Sequence, residues 1–190
     1  MRWRFWAKTR LDRRELNSFE SPRLFIEMLR EADFAFINEL LNTEGFLKFI
    51  GDRNVRSDDD AKAYISKTLK NRNILYWVVR LKGELAPVGI VSLVKRDSLP
   101  GRDIGFAFLP RYTGKGLAFE ATSAALSRIL PNYNDDVMFA ITDSDNKPSI
   151  RLLEKFGFRQ QKELEKDGKL SKVYEISTGI LAAHIQAAGL

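Results

Sequence analysis

The chain has 190 residues, 44% of them hydrophobic, which suits one domain with a sizeable core. Its net charge of +6 is concentrated at the front, where Arg2, Arg4, Lys8, Arg10, Arg13 and Arg14 stand against Asp12 alone, so polyanion binding is an argument for residues 1–14 only. The absence of cysteine excludes disulfides and a thiol nucleophile, and a single histidine, His184, argues against a zinc centre; no apolar run approaches the ~20 residues of a membrane span, and no secretory leader opens the chain.

In the basic arm, Trp3 and Trp6 interleave with arginines. Three readings stay open for residues 1–19: a disordered or loosely docked extension, an arm touching RNA or the ribosome, or a strand or helix packing on the domain or on a partner subunit. Common terminal disorder favours the first. Residues 21–29 then predict a strand, and residues 31–41 a helix with apolar Phe34, Phe36, Ile37, Leu40 and Leu41. Residues 58–70 predict a helix opened by three aspartates that suit its positive end. Residues 74–81 and 87–94 read as a hairpin turned through Lys82-Gly83-Glu84. Residues 104–109 form the next strand, which runs into a glycine loop and a helix over 117–130. A strand at 137–142, a helix carrying Pro148 in its first turn, and a hairpin of 160–164 with 172–177 turned by Asp167-Gly168 complete the sheet. The Ala-rich residues 180–188 predict a short helix.

The glycine loop, Arg111-Tyr112-Thr113-Gly114-Lys115-Gly116, has the chemistry of an anion site, because two glycines let the backbone approach and a helix N-terminus follows. It is not the loop of P-loop NTPases, which needs glycine where Leu109 stands and Ser or Thr where Gly116 stands. A dinucleotide fingerprint fails as well, at Phe119 and at the Pro131 to Tyr133 region.

The Arg-x-x-Gly-x-Gly spacing resembles instead the pyrophosphate loop of the GNAT superfamily of N-acetyltransferases. Asn146-Lys147-Pro148-Ser149 followed by Glu154-Lys155-Phe156-Gly157-Phe158 is similar to a second segment of that superfamily. With Ser21-Pro22-Arg23-Leu24 upstream and Phe49-Ile50-Gly51-Asp52 after a helix, the layout looks most like the Rim-type branch that acetylates ribosomal-protein N-termini. The resemblance spans nearly the whole chain. It implies an α/β (α+β) GNAT-like acyl-CoA N-acyltransferase fold, a mixed, mostly antiparallel twisted sheet flanked by helices, with residues 20–178 as the domain and 179–190 as a tail.

What the resemblance implies for function is transfer of acetyl from acetyl-CoA to a primary amine, most of all a protein N-terminal α-amine, by direct transfer and without a metal. The variants are a small-molecule amine such as an amino sugar or polyamine, and a non-catalytic acyl-CoA-binding module. Phe106, Ala107, Phe108 and Leu109 would pair with the pantetheine arm through their backbone. Tyr112, Thr113, Gly114, Lys115, Gly116 and Leu117 would supply amides to the pyrophosphate, with Arg111 and Lys115 adding charge. Asn146 is read first as the cap of the following helix and, by resemblance, also as a pantetheine contact.

For the chemistry, acetyl transfer needs a deprotonated amine, a stabilised oxyanion and a protonated leaving thiolate. The usual tyrosine acid of the superfamily is replaced by Leu153; the resemblance to Rim-type enzymes, which use a serine at the position matching Ser149, implies Ser149 as the candidate acid, with Tyr112 and Tyr174 as others. An acidic position of the Rim branch is Gln161 here, so Asp103 and Glu163 are the candidate bases. His184 reads as a tail-packing residue, and Phe46, Phe49 and Trp77 as either an acceptor wall or core. A cytoplasmic setting is what the missing export signal and the need for acetyl-CoA imply, and the oligomeric state, monomer or homodimer, stays open.

Overall fold

The computed structural model describes residues 16–166 and 169–187. The readings of the arm over residues 1–15 and of the turn at Asp167-Gly168 fall outside them. The described strands form one eight-stranded sheet: β1 (Ser18–Glu20), β2 (Leu24–Met28), β3 (Ile74–Leu81), β4 (Pro87–Lys95), β5 (Arg102–Phe108), β6 (Val137–Asp143), β7 (Arg159–Lys166) and β8 (Lys169–Ser177). Their spatial order is β1-β2-β3-β4-β5-β6-β8-β7, antiparallel throughout except for β5 against β6. The helices are α1 (Phe34–Leu41), α2 (Glu44–Phe49), α3 (Asp58–Lys70), α4 (Leu117–Ile129), α5 (Lys147–Lys155) and α6 (Thr178–Ala187).

The apolar run of β3 is buried on both faces, which is why its sequence does not alternate polar with apolar. Leu75, Trp77 and Val79 point to the face covered by Ala121, Ala125, Leu126 and Ile129 of α4. The intervening Tyr76 and Val78 face Phe36, Ile37 and Leu40 of α1 and Ala61 and Ile65 of α3. Period-two alternation thus splits one strand between two cores.

Three elements differ from the sequence reading. The strand expected at 21–29 begins only at Leu24 and is preceded by the unforeseen β1, because Ser21-Pro22-Arg23 makes a turn in which the Ser21 N–H donates to the Leu24 carbonyl at 3.0 Å. The helix expected at 31–41 opens as a 3₁₀ turn, Glu31–Asp33, where the buried Asp33 accepts the Arg30 N–H at 2.9 Å and pairs with Arg80. The six-residue α2, capped by the Thr43 hydroxyl, is too short to leave a periodic signal.

What positions the site is a parting of the sheet. Strands β5 and β6 are in register only at Asp103 and Phe139, then diverge. The beginning of α5 and the end of β5 flank the opening. On the far side, Leu181 and Ile185 of α6 pack into the core, and the His184 ring nitrogen Nδ1 lies 2.9 Å from the Phe156 carbonyl.

Candidate active site

The loop after β5 spends some of its hydrogen-bonding groups internally and leaves others free. The Leu109 N–H donates to the Val88 carbonyl and its own carbonyl accepts the Tyr112 N–H, both at 2.9 Å, while the side chain is fully buried. The reading of Leu109 as a cofactor contact therefore gives way to a core role. The Thr113 N–H is likewise committed, to the Pro110 carbonyl at 3.2 Å, so Tyr112 and Thr113 are not the free donors expected of them. Gly114 and Gly116 follow in the left-handed region (φ 73° and 76°), which reverses the chain without a Cβ penalty. From Gly114 through Phe119 no backbone N–H meets an acceptor among the described residues. The first to close is that of Glu120, onto the Gly116 carbonyl at 3.1 Å. A run of unspent donors thus sits at the positive end of the thirteen-residue α4.

A buried carboxylate braces this loop. Glu120 Oε1 accepts the Ser21 hydroxyl at 2.7 Å and the Arg23 N–H at 2.8 Å, and Oε2 accepts Arg23 Nε at 2.6 Å. A terminal nitrogen of Arg23 also donates to the Lys115 carbonyl at 3.1 Å. Burial opposes the Glu120 charge, but Ser21 and the Arg23 amide and guanidinium outweigh it and hold the carboxyl below its ordinary value. The upstream Ser-Pro-Arg-Leu segment is thereby tied to the loop 90 residues later.

Arg111, expected to charge the loop, is instead paired with Glu39 of α1 and lies 5.2 Å above the Tyr112 ring; both groups raise its already high pKa. Lys115 sits 5.4 Å above the same ring.

The edge of β5 is open. Because the Leu109 N–H turns toward β4, strand alternation turns the amides of Phe106 and Phe108 the other way, to the side β6 has left. The ring of Phe108 lies against Gly89, where any Cβ would collide with it.

Two clefts meet at this edge. One, of about 730 Å³, runs past Phe106, Phe108, the glycine loop, Phe119 and Lys155. The other, of about 430 Å³, is lined by Arg53, Tyr64, Lys67, Tyr76, Arg96 and Asp103 among others. Phe46, Phe49, Ile50, Phe106, Ala107, Asn146 and Ser149 line both, so the two clefts adjoin there.

At the junction, Asn146 caps α5 by accepting the Ser149 N–H at 3.2 Å. The half-buried Ser149 hydroxyl has no partner among the described residues. Asp103, with 5% of its side chain exposed, receives Arg96 Nε at 2.7 Å and a second Arg96 nitrogen at 3.1 Å. Burial raises the Asp103 carboxyl above its ordinary value and Arg96 only partly reverses this. Such a carboxylate is a stronger base than a solvated one.

The other candidates are placed elsewhere. Glu163 is exposed on β7, accepts Gln160 Nε2 at 3.3 Å and lines neither cleft, so the structure does not bring it to the site. Tyr174 is buried in the core, its phenol pushed up by burial and by Glu154. Trp77 is fully buried, its Nε1–H donating to the Leu16 carbonyl at 2.8 Å, so it forms core and not acceptor wall. Leu153 is buried at the floor of the second cleft, and Gln161 is the extra residue of a bulge in β7. Sequence reasoning missed Arg53, Tyr64, Lys67, Tyr76 and Arg96. No motif links them, although Tyr64, Lys67 and Thr68 share the i, i+3, i+4 face of α3. Among the described residues no helix is long and apolar enough to cross a membrane, and no group of three or more His, Asp or Glu is placed to hold a metal.

The fold and sequence have known counterparts. Among curated relatives, Bacillus subtilis YkkB, an uncharacterized protein, is 38% identical over 160 residues, covering 82% of this chain and 92% of that one. The uncharacterized N-acetyltransferase YnaD of the same organism is 29% identical over 141 residues, covering 74% and 82%. A solved GNAT-family acetyltransferase from Bacillus anthracis superposes with a TM-score of 0.72 at 24% identity, over 85% of this chain and 99% of that one. The ribosomal-protein-S5-alanine acetyltransferase of Vibrio fischeri (TM-score 0.72, 19% identity, coverage 85% and 96%) and the spermidine N-acetyltransferase SpeG of Vibrio cholerae (0.68, 18%, 85% and 97%) share the fold. The family model described as an acetyltransferase (GNAT) domain matches residues 23–159, the stretch that holds the open edge, the glycine loop and the cap of α5. The chain belongs to the GNAT acetyltransferase family and is an acyltransferase.

Proposed function

We propose that the protein transfers acetyl from acetyl-CoA directly to a primary amine that enters through the second cleft. This reading rests above all on the unspent N–H groups from Gly114 to Phe119 at the end of the open β5 edge. Such donors fit a pyrophosphate, and the Phe106 and Phe108 amides fit the amide groups of a pantetheine arm. Gly114, Lys115, Gly116 and Leu117 are the loop contacts, Ala107 lies on the edge between the two donors, and Asn146 borders it from α5.

In the reaction, the amine nitrogen bonds to the thioester carbonyl carbon and gives up its proton to Asp103, directly or through water. Negative charge collects on the carbonyl oxygen, where a β5 edge N–H meets it. As the carbon–sulfur bond breaks, the sulfur takes a proton from the Ser149 hydroxyl, which is reprotonated through water by the proton that Asp103 took from the amine. Arg96 keeps Asp103 oriented throughout.

For the acceptor, a protein N-terminal α-amine is the finer reading, drawn from the Ser21-Pro22-Arg23-Leu24 layout. Enzymes named for a ribosomal-protein alanine and for spermidine share the fold to a similar degree, so the fold alone does not choose. The test is release of CoA in the presence of amines and N-terminal peptides, read with a thiol reagent that finds no cysteine in the protein. Asp103→Asn is expected to lower kcat/KM about 10²- to 10⁴-fold with unchanged acetyl-CoA affinity. Full activity of that variant contradicts the assignment of the base.

A further inference from the structure

The second cleft has a charge pattern that selects among amines. Arg53, Lys67 and Arg96 line it, and among the described residues the sole carboxylate lining it is Asp103, which Arg96 already holds through two hydrogen bonds. Arg53 and Lys67 have no carboxylate partner among the described residues. Arg53 is exposed and lines the same cleft as Tyr76. Its connector is held by the turn in which Asp52 accepts the Asn54 N–H at 2.8 Å, with Asn54 in the left-handed region (φ 54°). Lys67 projects from the α3 face that also carries Tyr64 and Thr68 into the cleft. Exposed cations with no carboxylate beside them at the wall of a cleft favour an anion and repel a second ammonium.

We infer that the acceptor is a primary amine bearing a carboxylate or phosphate group, seated with the anion between Arg53 and Lys67 and the nitrogen toward Asp103 and Ser149. The inference rests on the acetyl-transfer reading above and narrows its substrate class. A polyamine is the wrong occupant, because its distal ammonium would meet two cations with no carboxylate to receive it. The anion has two sources: a small amino acid or aminoalkyl phosphate, or a peptide N-terminus followed by an acidic residue.

The test compares initial rates with 3-aminopropyl phosphate, β-alanine, propylamine and spermidine, and with two peptides that differ only in Asp or Arg at the second position. Anionic acceptors are expected to exceed their neutral or cationic counterparts in kcat/KM roughly ten- to a hundredfold, the range of one or two charge-assisted contacts. In Arg53→Gln/Lys67→Gln the preference is expected to collapse toward unity, with acetyl-CoA affinity by calorimetry unchanged. Preference confined to the small amines assigns the anion to a free metabolite; preference confined to the peptides assigns it to an acidic N-terminus. Faster reaction of propylamine or spermidine, or a preference that survives the double substitution, overturns the inference. Acetyl-CoA binding without turnover of any amine in the panel contradicts it as well, whereas failure to bind acetyl-CoA contradicts the parent reading.

Discussion

Glu120 carries a structural burden unusual for one carboxylate, since it fastens the turn between β1 and β2 to the first turn of α4 through three hydrogen bonds and, by way of Arg23, reaches the Lys115 carbonyl. Its side chain is 8% exposed against 50% for Arg23, so the strength lies in desolvated hydrogen bonds more than in a solvated ion pair. Glu120→Gln is expected to cost about 2 kcal/mol in urea denaturation at neutral pH. Because the folded protein holds this carboxyl below its ordinary value, the stabilisation is complete above the ordinary glutamate range and is lost as pH falls through the lower folded value. The variant should therefore lose less stability than the wild type on acidification. Asp103 has the opposite sign: its raised pKa means that ionisation subtracts stability as pH rises through the folded value, while the proposed reaction needs the ionised form. Of the residue-level features, the Asn146 cap was legible, because Asn before Lys-Pro-Ser is a local signal. The fates of Leu109, Arg111 and Glu163 were not, because each is decided by a partner or a face that sequence spacing does not encode: Val88, Glu39 and the exposed face of β7.

At the level of elements, α3 and β3 were readable to the residue, one through the three aspartates that open it and the other through its dense apolar run. The structure adds a cap to α3, in which the Ser57 hydroxyl accepts the Asp60 N–H at 3.1 Å. What escaped the sequence were breaks made by turns and short helices, namely the division of β1 from β2 and the six residues of α2. Both matter, since the first delivers Arg23 to the glycine loop and the second supplies Phe46 and Phe49 to both clefts. The pairing of β4 with β5 contains a further constraint, in that Gly89 lies opposite Phe108 and leaves room for its ring. Gly89→Ala should push that ring into the larger cleft and weaken acetyl-CoA binding roughly tenfold, with a stability loss of about 1–3 kcal/mol from overpacking. Unchanged affinity in a destabilised variant would separate the ring from the binding groove.

Across the whole molecule, the order of the sheet creates the site. Antiparallel pairing from β1 to β5 makes one block and β6, β8 and β7 another, joined by a single parallel register at Asp103. Beyond that residue the blocks part, which opens the β5 edge and brings two helix N-termini, of α4 and α5, to the same cleft. The sequence indicated this architecture through motifs local to the loop and to α5. The acceptor side was not readable in the same way, because Arg53, Lys67, Arg96 and Asp103 come from four separate segments and meet only in the folded chain. The measurement that bears most directly on the acetyl-CoA reading is calorimetric titration of acetyl-CoA into the wild type and Ala118→Glu. Ala118 lines the larger cleft in the first turn of α4, where a carboxylate suits the helix dipole but opposes a bound pyrophosphate. Saturable binding by the wild type, lost or weakened at least tenfold in a variant of equal or higher melting temperature, is the expected result; no binding by the folded wild type, or equal binding by both, would contradict the account.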